Sequence, residues 1–161
     1  MKDYFFKLFK YNEWANNQVL DALINLPDDS PEEITRIFNH LITAQMMWLN
    51  RILGKSTVLE LWTNNTIEGC ITASKESSTQ WLRFIEGLKE EDLSREISYV
   101  NVQGKPFVNT LEDILIHLVN HSTYHRAQIA ILFRQNSLTP PVTDYIVYVR
   151  EGGKIKESKD K

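Results

Sequence analysis

Three histidines fall in one nine-residue window, His117, His121 and His125, in the run DILIHLVNHSTYHRAQIAILF. The fourth and last histidine of the chain is His40, in EITRIFNHLITAQMMWL. A spacing of four residues stacks side chains on one face of a helix. Neutral imidazole is the commonest metal ligand at neutral pH. Every histidine of this chain could therefore serve one metal site.

A helical projection narrows the set. With His125 at zero, His121 falls at about −40°, Leu118 at about +20°, Ile114 and Leu132 at about −20°, and Leu111 and Ile129 at about +40°. His121 and His125 are thus expected in the middle of an apolar stripe, with His117 at its edge. His40 falls at the edge of the stripe on its own helix, where it can turn into a cleft. The plainer alternative is a set of core-flanking histidines with ordinary hydrogen bonds. Against it, two imidazoles on adjacent turns of an apolar face cost desolvation twice unless each nitrogen finds a partner. One shared cation satisfies both, and a histidine from another helix completes a three-nitrogen set. His40 suits that place better than His117. Using His117, His121 and His125 together would ask three turns, about 12 Å of axial rise, to reach one ion. The expected ligands are His40, His121 and His125, with His117 a neighbour of the site or a surface hydrogen-bonding group.

Three neutral imidazoles leave a divalent ion its full charge and an open position, where a water or a thiol loses its proton near neutral pH. Zn, Ni, Fe and Mn are all compatible, and availability in the cell often decides among such metals. The lone cysteine, Cys70, is far from the cluster in sequence and is expected to pack within a helix. There is no HExxH motif, and Glu112 and Asp113 stand about two or more turns from the histidine pair. No Gly-rich phosphate loop is present, and Cys70 has no activating neighbour in sequence. Metal-independent hydrolase and kinase chemistries have no support.

These residues need helices to position them. Tyr4, Leu8, Tyr11, Ala15 and Val19 recur at helical spacing and predict a first helix from Asp3 to Asn25. Ser30, Pro31, Glu32 and Glu33 read as a helix start, with the Ser30 hydroxyl as cap. The second helix carries Ile34, Ile37, Leu41, Ala44, Trp48 and Ile52 and ends near Gly54. Its short connection to the first predicts antiparallel neighbours. A looser segment, KSTVLELWTNNT, follows. The third helix runs from about Ile67 to Leu88, with Ile71, Ser74, Ser78, Trp81 and Ile85 inward. ISYVNVQGKPFVNT reads as a small hairpin turning at Gln103, Gly104 and Lys105, with Pro106 confining its second strand to an edge. Thr110 caps the fourth helix, which bears the histidine window. LTPPVTDYIVYVR is expected as an extended segment laid across the bundle. The expected architecture is all-α: a four-helix bundle with a β-hairpin between helices 3 and 4, one domain over residues 1–150, and a flexible tail at 151–161.

The chain has 161 residues, 42% of them hydrophobic and 24% charged, with a formal net charge of −3. That length supports one domain with a substantial core. The acidic balance and the lack of a basic stripe argue against nucleic acid as a partner. No stretch is long and apolar enough to span a bilayer, so no membrane partner is expected. A single cysteine and an aromatic, charged N-terminal segment without a cleavage-site pattern fit a mature cytoplasmic protein.

The segments YNEWANNQVL, NHLITAQMMWLNRI, HLVNHSTYHRAQI and PPVTDYIVYVR, together with the hairpin and its central glycine, resemble the DinB/YfiT-like family of metalloenzymes over nearly the whole chain. In that family three histidines bind a divalent metal inside a four-helix bundle, and the matching positions are His40, His121 and His125. Where the family often has HHRGQI, this chain has Tyr124 for a non-ligand histidine and Ala127 for a glycine. Alanine is the next smallest side chain and a better helix former, so only a modest shift in packing is expected. The resemblance implies a thiol S-transferase or related reaction using a low-molecular-weight thiol and a small-molecule substrate. A metal-activated-water hydrolase and a non-catalytic, stress-induced metal-binding bundle are the alternatives it leaves open. It also allows a homodimer. Tyr11, Trp14 and Trp48 are candidates for lining the pocket, although aromatics at helical spacing are more often core. Arg126 is a candidate support that could pair with a carboxylate, most simply as a structural salt bridge. Asp144, in the turn-like VTDY, is a second candidate support.

Overall fold

A computed structural model describes residues 1–55 and 59–153 of the chain. Residues 154–161 of the tail expected at 151–161, and residues 56–58 of the KSTVLELWTNNT segment, lie outside the described residues. Helix α1 spans Lys2–Ile24, α2 Glu32–Ile52 and α3 Ile67–Glu86. A short 3-10 turn at Glu90–Ser94 leads into strands β1 (Glu96–Val100) and β2 (Pro106–Thr110). Helix α4 follows directly (Leu111–Gln135), and α5 (Tyr145–Arg150) closes the described chain. The four long helices form the expected bundle with a two-stranded antiparallel insertion. No helix among the described residues is long and apolar enough to cross a membrane.

The expected cap at Thr110 forms, and Thr66 supplies a further one. The Thr66 hydroxyl accepts from the Gly69 amide, and the Thr110 hydroxyl accepts from the Asp113 amide, so both helices start where a free N–H finds a side-chain oxygen. At α2 the cap position is Pro31, without a side-chain hydrogen bond, so the Ser30 hydroxyl does not cap. The hairpin pairs Tyr99 with Phe107 and Val100 with Pro106. Pro106, as the first residue of its strand, interrupts no ladder interior. Asn101 Oδ1 accepts from the amides of Gln103 and Lys105, and Gly104 supplies the positive φ of 79° that closes the turn.

Helix order differs from the expectation. Helix α1 packs along α3 and α4, and α2 packs along the same two. Helices α1 and α2 therefore occupy opposite corners, and their short connection crosses one end of the bundle instead of joining side-by-side neighbours. Near that end their residues share one apolar cluster, where Val19, Leu20 and Leu23 join Ile34, Ile37 and Phe38. The C-terminal segment also differs, because Tyr145–Arg150 is helical and not extended. The β-branched run IVYV favours a strand on its own. Burying Tyr148 against Tyr11 and Trp14 at ring separations of 5.8 and 5.7 Å overrides that preference.

The core is layered. One apolar cluster gathers Phe5, Phe9, Leu49, Trp81, Ile85, Leu111 and Leu118. Another gathers Val19, Leu23, Ile34, Phe38, Leu41, Cys70, Ile129 and Phe133. On each long helix a buried polar stretch separates them: Asn12 and Asn16 on α1, Gln45 on α2, Ser74 and Ser77 on α3, Ser122 and Arg126 on α4. For this reason the inward face of α1 is Phe5, Phe9, Asn12, Asn16 and Val19, while the expected Tyr4 is exposed. Cys70 packs inside α3 as expected, and burial raises its thiol to about 11.

Gln45 ties three helices at this level. Its Nε2 donates to Ser122 Oγ at 3.0 Å, its Oε1 accepts from Ser77 Oγ at 3.1 Å, and its backbone carbonyl accepts from Trp81 Nε1 at 3.1 Å. Gln45→Ala should lose about 2–4 kcal/mol, since it opens a cavity and strips two buried hydroxyls of a partner. Urea unfolding of the variant measures this directly; a loss below about 0.5 kcal/mol would contradict the assignment of Gln45 as the link among three helices.

Candidate metal centre

The polar layer is also the level of the histidines. His121 and His125 stand one turn apart on α4, and His40 reaches them from α2, its packing neighbour. One ligating atom from each of the three lies within 4.8 Å of the others. The Nε2 atoms of His121 and His125 are 3.1 Å apart. Two nitrogens on one tetrahedral ion at about 2.1 Å would stand about 3.4 Å apart, so the pair needs to open by only a few tenths of an ångström. No carboxylate or thiol joins this cluster among the described residues.

Hydrogen bonds orient two of the rings. His40 Nδ1 donates to the Leu61 carbonyl at 2.9 Å, and His125 Nδ1 donates to Gln128 Oε1 at 2.7 Å. Both rings therefore turn an unprotonated Nε2 toward the cluster, the arrangement in which outer partners fix the tautomer of a metal-binding histidine. His121 must then donate its own Nε2–H to His125, which leaves its buried Nδ1 without a partner. A cation on the Nε2 lone pair would put the proton on Nδ1 and replace the bond between the two imidazoles. The all-imidazole donor set, with the Nε2 atoms of His121 and His125 facing each other, fits a divalent metal.

Electrostatics point the same way. Burial, reinforced by His125, His117 and His40, pushes His121 down to about 3. Burial lowers His40 against the opposing effect of its Leu61 hydrogen bond, and lowers His125 against that of Gln128. All three stay neutral and ready to ligate at physiological pH. The sign for stability follows. Below about pH 6.5 the unfolded chain takes up protons that the folded site refuses. Chelator-treated protein should therefore lose stability as pH falls from about 7 towards 5 and stay level above about 7. Melting curves across that range measure it, with His121→Gln expected to flatten the slope; an unchanged slope in that variant would contradict the account.

His125 is buried as expected, whereas His121 is half-buried. His117 is exposed and stays outside the cluster, its ring 5.4 Å from His121 and edge-on to Trp48 at 5.5 Å. Trp48 thus approaches the centre only through His117. Together with Tyr99, Asn109, Asp113 and Ile114, these two line a cavity of about 250 Å³. Tyr11 and Trp14 do not reach the histidines. They pack with Tyr148 in a separate aromatic cluster, where the Tyr11 hydroxyl donates to the Thr143 carbonyl. Asp144 is the exposed cap position of α5 and lies in neither group. Arg126 makes no salt bridge among the described residues. Its guanidinium turns toward α1, donating to Asn12 Oδ1 and Asn16 Oδ1 at 2.6 and 3.0 Å, because α1 offers amide oxygens there and no acid.

Three partners of the centre escape the sequence reading. Gln128 lies three residues beyond His125, a spacing that places both on one helix face, so a signal existed. Leu61 and Trp62 belong to the segment read as loose, and nothing in their spacing points to His40. Trp62 nonetheless stacks on the His40 ring at 3.6 Å and 7°.

The model of the DinB family matches residues 1–157. The chain belongs to the DinB family. Among DinB relatives, it is 26% identical to Protein DinB of Bacillus subtilis (strain 168), over 92% of this chain and 95% of that one. It shares the fold of a DinB-like protein from Bacillus cereus ATCC 10987, with a TM-score of 0.61 and 20% identity over 80% of this chain and 90% of that one. It also shares the fold of YfiT from Bacillus subtilis, with a TM-score of 0.62 and 17% identity over 86% and 89% of the two chains. YfiT is described as a probable metal-dependent hydrolase with an unusual four-helix bundle topology.

Proposed function

We propose that this chain is a divalent-metal-dependent enzyme, with His40, His121 and His125 holding the ion through their Nε2 atoms. The convergence of those three nitrogens, two of them fixed by Nδ1 hydrogen bonds, carries the reading. When bound, the metal supplies a Lewis acid that lowers the pKa of a small nucleophile. The favoured nucleophile is a low-molecular-weight thiol and the reaction S-transfer. A thiol starts near pKa 8.5 and needs only a small push at neutral pH, whereas water starts at about 15.7. This cluster brings no carboxylate to act as a base for water. The thiol sulfur forms a bond to an electrophilic carbon of a small substrate, the leaving group departs with its electron pair, and the thiol proton goes to solvent. Hydrolysis is the second reading, supported by the description of YfiT. The cavity beside His117 and Trp48 offers room for the part of the substrate that does not react.

Metal-loaded protein incubated with a panel of alkyl, epoxide and ester electrophiles, with and without small thiols, separates these readings. A thioether product formed only with thiol and metal supports S-transfer. A hydrolysed product without thiol moves the assignment to hydrolysis. Metal-loaded protein that turns over nothing in either arm overturns the enzymatic reading in favour of a metal-binding bundle.

A further inference from the structure

Trp62 stands in an irregular segment, is 51% exposed, and lies flat on one imidazole of the triad. Its ring centroid is 3.6 Å from that of His40 with the planes 7° apart, while its contact with His125 is edge-on at 6.1 Å. The backbone on either side is pinned to α2. His40 itself donates to the carbonyl of Leu61. Asn39 Nδ2 donates to both the carbonyl and the hydroxyl of Thr63, at 2.9 and 3.1 Å, and Asn65 Nδ2 returns a bond to Asn39 Oδ1 at 3.2 Å. Two consecutive α2 residues thus hold the residues before and after Trp62, which fixes where the indole can lie. A large aromatic ring left half in water, with one face given to a polar imidazole, contributes little to a core. It does stop that imidazole from turning.

We propose that Trp62 is a positioning residue for the metal centre: together with the Leu61 carbonyl, it locks His40 in the orientation that ligates a divalent cation. The inference rests on reading the triad as a metal site. A cation on Nε2 draws electron density from the His40 ring, and the electron-rich indole face stabilises an imidazole in that state as it does other cationic groups. Outer partners of ligating histidines are typically worth 10–100-fold in metal affinity.

The test is Zn²⁺ affinity, measured on chelator-treated protein by competition with a chromophoric chelator, alongside thermal melts of the metal-free protein. Trp62→Ala should weaken Zn²⁺ binding by about tenfold or more, while Trp62→Phe, which keeps a stacking ring, stays within about threefold of wild type. Metal-free melting temperatures of both should stay close to wild type, because the indole is half-exposed. In a His40→Ala background, Trp62→Ala should add no further loss, since its effect passes through His40. Equal Zn²⁺ affinity in wild type and Trp62→Ala overturns the proposal. So does an equal loss in the His40→Ala background, or a large fall in metal-free stability that accounts for the weaker binding. Wild-type protein that takes up no Zn²⁺ fails earlier and differently, by removing the metal reading itself.

Discussion

His121→Ala should abolish tight metal binding and leave the fold standing. In wild type, metal at a hundred times its Kd stabilises the folded state by about 2.7 kcal/mol. For a chain of this size that raises Tm by roughly 5–10 °C. The variant keeps two ligating nitrogens of three, and its affinity should fall more than a hundredfold, since outer partners alone command 10–100-fold. The metal-induced rise in Tm then disappears at the same concentration. Metal-free His121→Ala should stay within about 1 kcal/mol of wild type, an ordinary cost for a half-buried site. What is lost in packing is partly offset, because the wild-type ring buries an Nδ1 without a partner and is held at about 3 by burial and its neighbours. Differential scanning fluorimetry with and without Zn²⁺ measures both halves. A full metal shift in the variant would show that the ion sits elsewhere.

Arg126→Ala should produce the largest loss of stability in the molecule. The guanidinium is 1% exposed, holds Asn12 and Asn16 of α1 and Thr123 of its own helix, and lies 5.4 Å from the Tyr11 ring centre. No carboxylate balances it among the described salt bridges. Truncation leaves a cavity and two buried amide oxygens without donors, a combined cost of about 3–5 kcal/mol. Tm should fall by roughly 6–20 °C. Arg126→Lys should recover little, because one ammonium cannot reproduce a planar fork that serves both asparagines and Thr123. A substitution that removes the demand as well as the donor, Asn12→Leu with Asn16→Leu and Arg126→Met, should recover part of the loss, as apolar replacement of buried charge often does. A Tm within 2 °C of wild type in Arg126→Ala would contradict this reading.

Periodicity made the four long helices, the hairpin and the grouping of His40, His121 and His125 legible, because each is a local pattern on a regular element. The diagonal placement of α1 and α2 was not legible, since loop length limits distance between helix ends and not the corner each helix occupies. Asn12 and Asn16 interrupt the apolar pattern of α1, and helical spacing alone does not point to their burial. Their burial depends on Arg126, more than a hundred residues away. The α5 turn followed from where Tyr148 packs, against its own strand propensity. Trp62 and Leu61 reach His40 through an irregular loop, where spacing carries no directional information. Gln128 was readable in principle, three residues from the histidine it orients.

The most direct test of the centre is the metal content of untagged protein, stripped with chelator, reconstituted separately with Zn²⁺, Ni²⁺, Mn²⁺ and Fe²⁺, freed of excess ion and measured by elemental analysis, with His117→Ala as the paired control. The histidine geometry predicts one ion per chain in both wild type and His117→Ala, held by three imidazole nitrogens at about 2.0–2.1 Å in X-ray absorption of the zinc form. Wild-type protein that retains none of the four metals, or a His117→Ala chain that loses its ion, would contradict it.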